Sequence, residues 1–114
     1  MKNKKEIRNK FRSEVLSRDE FKCVVCGKTG SKLDAHHITN RNLMPGGGYV
    51  KENGISLCDL PNGCHWKAEL FSKYNSWFLV KEYGESILEL SPENLYKRIN
   101  SNYDLAYRKS SYLK

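Results

Sequence analysis

Leu33-Asp34-Ala35-His36-His37-Ile38 is the stretch on which the reading of this chain turns. It is short and apolar at its ends, and it reads as a strand with two adjacent histidines at its close. Asn53-Gly54-Ile55-Ser56-Leu57-Cys58 and Cys64-His65 follow it. All three histidines and all four cysteines of the 114 residues fall between Cys23 and His65. Phe21 to Gly27 precedes as a first β-branched stretch, which makes Leu33 to Ile38 the second strand. Tyr49 to Leu57 returns as a strand or a turn.

The cysteines frame this segment. Cys23-Val24-Val25-Cys26-Gly27 reads as a zinc knuckle, with two thiolates across a tight turn and Gly27 supplying the positive φ. Cys58 and Cys64 form the second half-site, separated by Asp59-Leu60-Pro61-Asn62-Gly63. A two-residue gap is commoner, so three additional residues must bulge, and Pro61, Asn62 and Gly63 each favour a turn. Four thiolates complete a closed tetrahedral site of the structural kind, with Zn2+ as its ion. The alternative is three cysteines with His65 in place of Cys64. Adjacent side chains at a helix start diverge by about 100°, so one of the pair faces this ion. Cys64 is assigned to it, and His65 is left for a second site.

Outward from this centre, Ile7, Phe11 and Val15 recur four apart, with Leu16 alongside. That is the apolar stripe of a helix over residues 5–18, with Arg8, Lys10 and Arg12 facing out. Those cations suit either the phosphates of a nucleic acid or a solvated face. Thr39 to Gly48 is a flexible loop. Its three glycines lack the Lys-Ser/Thr that follows a phosphate-binding loop. Trp66, Leu70, Tyr74, Trp77 and Phe78 recur at helical spacing and read as core, on one long helix or two shorter ones, with Gly84 as the stop. Ser91-Pro92-Glu93 is a helix start, a Ser N-cap followed by Pro at the first helical position. Residues 100–114 read as a basic arm or a loosely packed helix.

The length suits a single domain, 1–114, with a modest core that a metal would supplement. No apolar run approaches the roughly 20 residues of a membrane span, and no apolar segment follows the basic N-terminus as in a secretory signal. A reducing, cytoplasmic compartment is therefore expected, where cysteines serve metals more readily than disulfides. The net charge of +7 is uneven. Residues 1–12 hold six Lys/Arg against one Glu, and residues 95–114 hold five against one Asp. Two basic ends around a near-neutral middle suit a polyanion.

Taken jointly, Cys-x2-Cys-Gly, Leu-Asp-Ala-His-His-Ile, Asn-Gly-Ile-x-Leu-Cys and Cys-His resemble the HNH endonucleases over about residues 12–70. The resemblance implies an α+β fold: a small ββα-metal core over 12–70, stabilised by the four-cysteine zinc. A basic N-terminal helix start at 1–11 and a basic helical extension at 85–114 would flank it. It implies that His37 is the general base, that Asn53 holds the loop so that the base is oriented, and that His36 and His65 bind a catalytic Mg2+ or Mn2+. Asn53 and His65 lie twelve residues apart, and nine without the three additional loop residues, a spacing familiar in the family. Glu69 stands where some relatives carry a further histidine, and at i+4 it shares a helix face with His65. It is either a metal ligand or a solvated acid. Consecutive strand residues face opposite ways, so a shared role for His36 and His37 calls for a bend in the strand.

The implied activity is metal-dependent hydrolysis of DNA phosphodiesters, by nicking or cleavage, leaving 5′-phosphate and 3′-hydroxyl ends. Arg8, Lys10, Arg12 and Arg41 are the candidate nucleic-acid contacts, with Arg41 at the scissile phosphate. Asp34 is read as orienting a neighbouring Arg or His. DNA is the expected partner, no membrane is, and a homodimer or a phage packaging complex would fit the extension. The rival reading is a zinc-stabilised nucleic-acid-binding or packaging-associated module that does not cut.

Overall fold

The computed structural model describes residues 3–30 and 32–113; Met1, Lys2 and Lys114 of the basic ends, and Ser31 of the turn before the histidine strand, lie outside them. Asn3 caps the first helix, α1 (Lys4–Arg18), its side chain accepting from the Glu6 amide at 2.9 Å. Phe11, Val15 and Leu16 are its buried side, while Ile7 is only partly covered. The divide expected at residues 11 and 12 falls inside this helix.

Residues 21–27 do not form a strand. They make a knuckle of turns closed by a single antiparallel bridge, Lys22 to Thr29. The histidine stretch is thus the first strand, β1 (Leu33–His37). It pairs antiparallel with β2 (Gly54–Cys58), from Leu33 opposite Cys58 to His37 opposite Gly54. This register runs unbroken through both histidines, so the strand has no bend between them. Residues 49–57 resolve into a short 3₁₀ turn, Lys51–Asn53, followed by β2.

Helix α1 lies close against the start of β2. A Cβ on Gly54 would stand 2.5 Å from Val15 Cγ2 and 2.7 Å from Phe11 Cζ, which is why a residue without one sits there. At the helix end Arg18 makes a bidentate pair with Asp19 at 2.8 and 2.9 Å and also donates to the carbonyls of Lys51 and Gly54. Asp19 in turn accepts from the Ser56 amide at 2.8 Å. One ion pair thereby ties three backbone segments together.

After β2 come α2 (Cys64–Glu69), a 3₁₀ turn at Leu70–Ser72, and α3 (Ser76–Tyr83), so two short helices replace one long one. Gly84, at φ 89°, ends α3. The aromatics here are not core, contrary to their helical spacing. Trp77 is 71% exposed, and Trp66 and Tyr74 are also open to solvent. They cover one another instead: Trp66 meets Tyr83 edge-on, Tyr74 stacks on Phe78, and Lys81 lies over Trp77. Leu70, Leu79 and Ile87 form the small cluster that these helices do bury.

Ser91 caps α4 (Pro92–Arg98) as its sequence indicates, accepting from the Asn94 amide. The tail is a helix, α5 (Tyr103–Ser110), capped by Asn102. Residues 85–113 are part of the main body: Leu90, Leu95, Tyr96 and Ala106 join Leu16, Ile38, Met44, Ile55 and Leu57 in the principal core. The result is a compact α+β fold on a two-stranded sheet. Among the described residues no helix is long and apolar enough to cross a membrane.

Candidate active site and cysteine cluster

The two half-sites of the cysteine motif come together. Sγ atoms of Cys23, Cys26, Cys58 and Cys64 all lie within 4.8 Å of one another. Cys26 and Cys58 Sγ are 3.7 Å apart, far beyond a disulfide length of about 2.05 Å. Sulfurs around a tetrahedral zinc at about 2.3 Å would be separated by roughly 3.8 Å, so the donor set fits such an ion. The backbone is arranged for it as well. The Cys26 amide points at Cys23 Sγ at 3.5 Å, and the Cys64 amide at Cys58 Sγ at 3.3 Å. Gly27 has the expected positive φ, 79°. Burial, with Cys23 and Cys58 adding, pushes the Cys64 thiol well up. The four cysteines form a group that can hold a metal such as zinc.

The inserted loop is a tight turn. Gly63 donates to the Leu60 carbonyl at 2.8 Å and Asn62 sits at φ 58°. Cys64 then opens α2 on the cysteine side, and His65 turns away from it.

His65 meets the histidine strand. His36, His65 and Glu69 place one ligand atom each within 4.8 Å of the others. Glu69 Oε1 stands 3.1 Å from His65 Nε2 and 3.6 Å from His36 Nδ1. Ligands at about 2.1 Å from one ion are roughly 3.0–3.4 Å apart, so two imidazoles and a carboxylate fit a divalent cation here. Glu69 thus stands within reach of both imidazoles, with its side chain 54% exposed. The His36 ring is the first cause that draws its carboxyl down to about 2, with His65 adding and partial burial opposing.

Asp34 has the expected orienting contacts, 3.6 Å from an Arg12 nitrogen and 3.4 Å from His65 Nε2. On the other side of His65, Nδ1 is 3.2 Å from Asp59 Oδ1.

His37 leaves β1 on the opposite face. Its ring stacks on Phe11 with centroids 4.3 Å apart and meets Tyr49 edge-on at 4.7 Å. Burial, then Arg41 and His36, lower its pKa from 6.5 to about 4, with Glu69 opposing, so the ring is neutral at neutral pH. Its Nε2 is buried without a partner among the described residues. Although their rings face apart, His36 and His37 line the same cavity of about 710 Å³, together with His65, Glu69, Arg8, Arg12 and Arg41. The cavity wraps the end of the strand, so a shared site needs no bend.

Asn53 is fully buried and saturated. Its Oδ1 accepts from the Thr39 amide at 3.0 Å and from Tyr96 Oη at 2.7 Å, and its Nδ2 donates to the carbonyls of Thr39 and Gly48. It therefore pins both ends of the loop that follows the histidine pair. Tyr96 belongs to this network and sequence reasoning missed it. Thr39 Oγ1 donates to its hydroxyl at 2.6 Å, and burial raises its pKa, keeping it a donor.

Not every candidate cation reaches the cavity. Arg8 and Arg12 share one side of α1, with Arg12 also bonded to the Leu33 carbonyl at 3.3 Å. Lys10 is exposed but does not line the cavity, because two residues along a helix is a rotation of about 200°. The chain matches no protein-family model, no curated protein and no solved structure.

Proposed function

We propose that this protein is a metal-dependent endonuclease of the HNH kind that hydrolyses DNA phosphodiester bonds. One observation carries the reading: a His-His-Glu cluster with ligand spacing and a separate neutral histidine line one cavity that three arginines also face. His36, His65 and Glu69 would hold a divalent ion such as Mg2+ or Mn2+. When bound, that ion supplies Lewis-acid stabilisation of the charge that builds on the phosphoryl oxygens and the departing oxygen.

The chain's own groups supply the rest. His37, neutral and fixed between Phe11 and Tyr49, takes the proton of the attacking water at Nδ1. Asn53 holds the loop at 39–48 so that His37 keeps its place against the cavity. Arg8, Arg12 and Arg41 offer positive charge to the phosphate backbone on either side of the reacting group. The cysteine cluster, with zinc as the proposed occupant, fixes the turn from β2 into α2 and hence the start of the helix that carries His65 and Glu69.

The test is nicking of supercoiled plasmid with Mg2+ or Mn2+, comparing wild type with His37→Ala. Both proteins must be shown to be folded and to hold equal zinc. Loss of a general base lowers the rate by about 10²–10⁴. If the folded, zinc-loaded wild type binds DNA but cuts it with no divalent ion, the reading fails and a binding module takes its place.

A further inference from the structure

The inserted loop does more than bring Cys64 to the cysteine cluster. Asp59, its first residue, directly follows the cluster residue Cys58, and its amide donates to the Lys32 carbonyl at 2.8 Å, extending the β1–β2 pairing by one step. The loop beyond it is closely packed: a Cβ on Gly63 would lie 2.9 Å from the Leu60 carbonyl oxygen and 3.1 Å from Cys58 Sγ. The Asp59 carboxylate is thereby placed against one ring nitrogen of His65, Nδ1, at 3.2 Å. The other nitrogen, Nε2, faces Glu69 at 3.1 Å and Asp34 at 3.4 Å, and belongs to the group with His36.

A neutral imidazole carries one proton and one lone pair. A carboxylate accepting from Nδ1–H keeps the proton there, leaves the lone pair on Nε2, and makes that nitrogen a better donor to a metal. From this geometry we infer that Asp59 is the positioning residue for His65: it fixes the tautomer that presents Nε2 to a divalent ion, and so makes the cysteine loop a structural support of the second site. The inference rests on the proposal that His65 is a divalent-ion ligand. It adds to that site a residue of the loop between Cys58 and Cys64. The two sites are thereby joined twice, through the consecutive pair Cys64-His65 and through Asp59 next to Cys58, so that order in the cysteine cluster becomes order at His65.

The experiment uses the full chain holding its zinc and the bare ion Mn2+ as probe. Free Mn2+ is counted by electron paramagnetic resonance for wild type, Asp59→Ala, Asp59→Asn and His65→Ala. The His65 tautomer is read from ring ¹⁵N shifts of the zinc-loaded protein before any Mg2+ or Mn2+ is added. Asp59→Ala should weaken Mn2+ binding by about 10–100-fold and move the His65 proton from Nδ1. Asp59→Asn, which keeps an accepting oxygen in place, should retain the Nδ1–H form and lose less affinity. If Asp59→Ala binds Mn2+ as tightly as wild type and keeps the Nδ1–H form, Asp59 has no such role and the inference is overturned while the ion site stands. If wild type takes up no more Mn2+ than His65→Ala, the ion site itself is wrong and the inference falls with it.

Discussion

Tyr96 Oη donates to Asn53 Oδ1 at 2.7 Å across 43 residues of sequence. The bond joins α4 to the residue just before β2 and, through Thr39, to the loop that follows the histidine pair. Tyr96→Phe removes one hydroxyl and leaves the ring in the core. Asn53 then loses one of its four partners and Thr39 Oγ1 loses its acceptor. The expected cost is about 1–2 kcal/mol in urea unfolding, with faster hydrogen exchange at the Thr39 amide relative to the β2 amides. Unchanged protection at Thr39 would show that the loop is held without Tyr96.

How legible this arrangement was depended on the range of the chemistry. The cysteine cluster could be read because ligands are drawn from few residue types and each half-site is local. His65 at the helix start then falls to a second group with His36, while in the sequence alone Glu69 stays open between ligand and solvated acid. Ser91-Pro92 could be read for the same reason, since a cap is decided within four residues. Tyr96 could not: nothing in Leu95-Tyr96-Lys97 says that its hydroxyl ends on Asn53 rather than in water. The aromatics of α2 and α3 misled because periodicity marks a face without saying what covers it, and Trp66, Tyr74 and Trp77 met Tyr83, Phe78, Lys81 and solvent. The bend expected between His36 and His37 was a correct reading of strand alternation. It missed that a cavity at the end of a two-stranded sheet is reached from both faces.

Position in the fold separates the basic residues by whether they line the cavity. Arg8 lines the cavity and so does Arg41, whereas Lys10 is turned about 200° from Arg8. Each phosphate neutralised contributes about 0.9 to the slope of log K against log salt for duplex DNA. Arg8→Ala and Arg41→Ala should each lower that slope by about one unit, measured by fluorescence anisotropy with inactive His37→Ala protein. Lys10→Ala should leave it nearly unchanged. An equal effect of all three would mean that the whole of α1 lies on the DNA and that the cavity does not select among its cations.

The four thiols predict how the chain depends on metal. Cys23 and Cys58 are buried, and the Cys64 thiol is held up by burial and its neighbours. Protein purified without chelator should contain about one zinc per chain by elemental analysis. Removal with a strong chelator should abolish the cooperative thermal transition, because ion binding and folding are coupled in a cluster of this kind. Cys58→Ser should behave in the same way even without chelator. Folded protein free of zinc would sink the assignment.

Gly48 tests whether the triple glycine serves Asn53. Its φ is +68°, and a Cβ there would lie 2.6 Å from Asn53 Nδ2 and 3.0 Å from Met44 Cβ. The Gly48 carbonyl is also one of the two oxygens that Asn53 Nδ2 reaches. Gly48→Ala therefore meets two penalties: left-handed backbone, about 1–2 kcal/mol for a residue with a Cβ, and a clash that must displace a fully bonded amide, about 1–3 kcal/mol more. The two can be separated by a double-mutant cycle with Asn53→Ala, which removes the amide in the way. In the wild-type background Gly48→Ala should cost the sum. In the Asn53→Ala background its cost should fall toward the backbone share alone, because the nearest obstacle has gone. The readout is urea unfolding of zinc-loaded protein. A cost that is the same in both backgrounds would mean that the glycine is required by its own backbone and that the close approach to Asn53 is incidental.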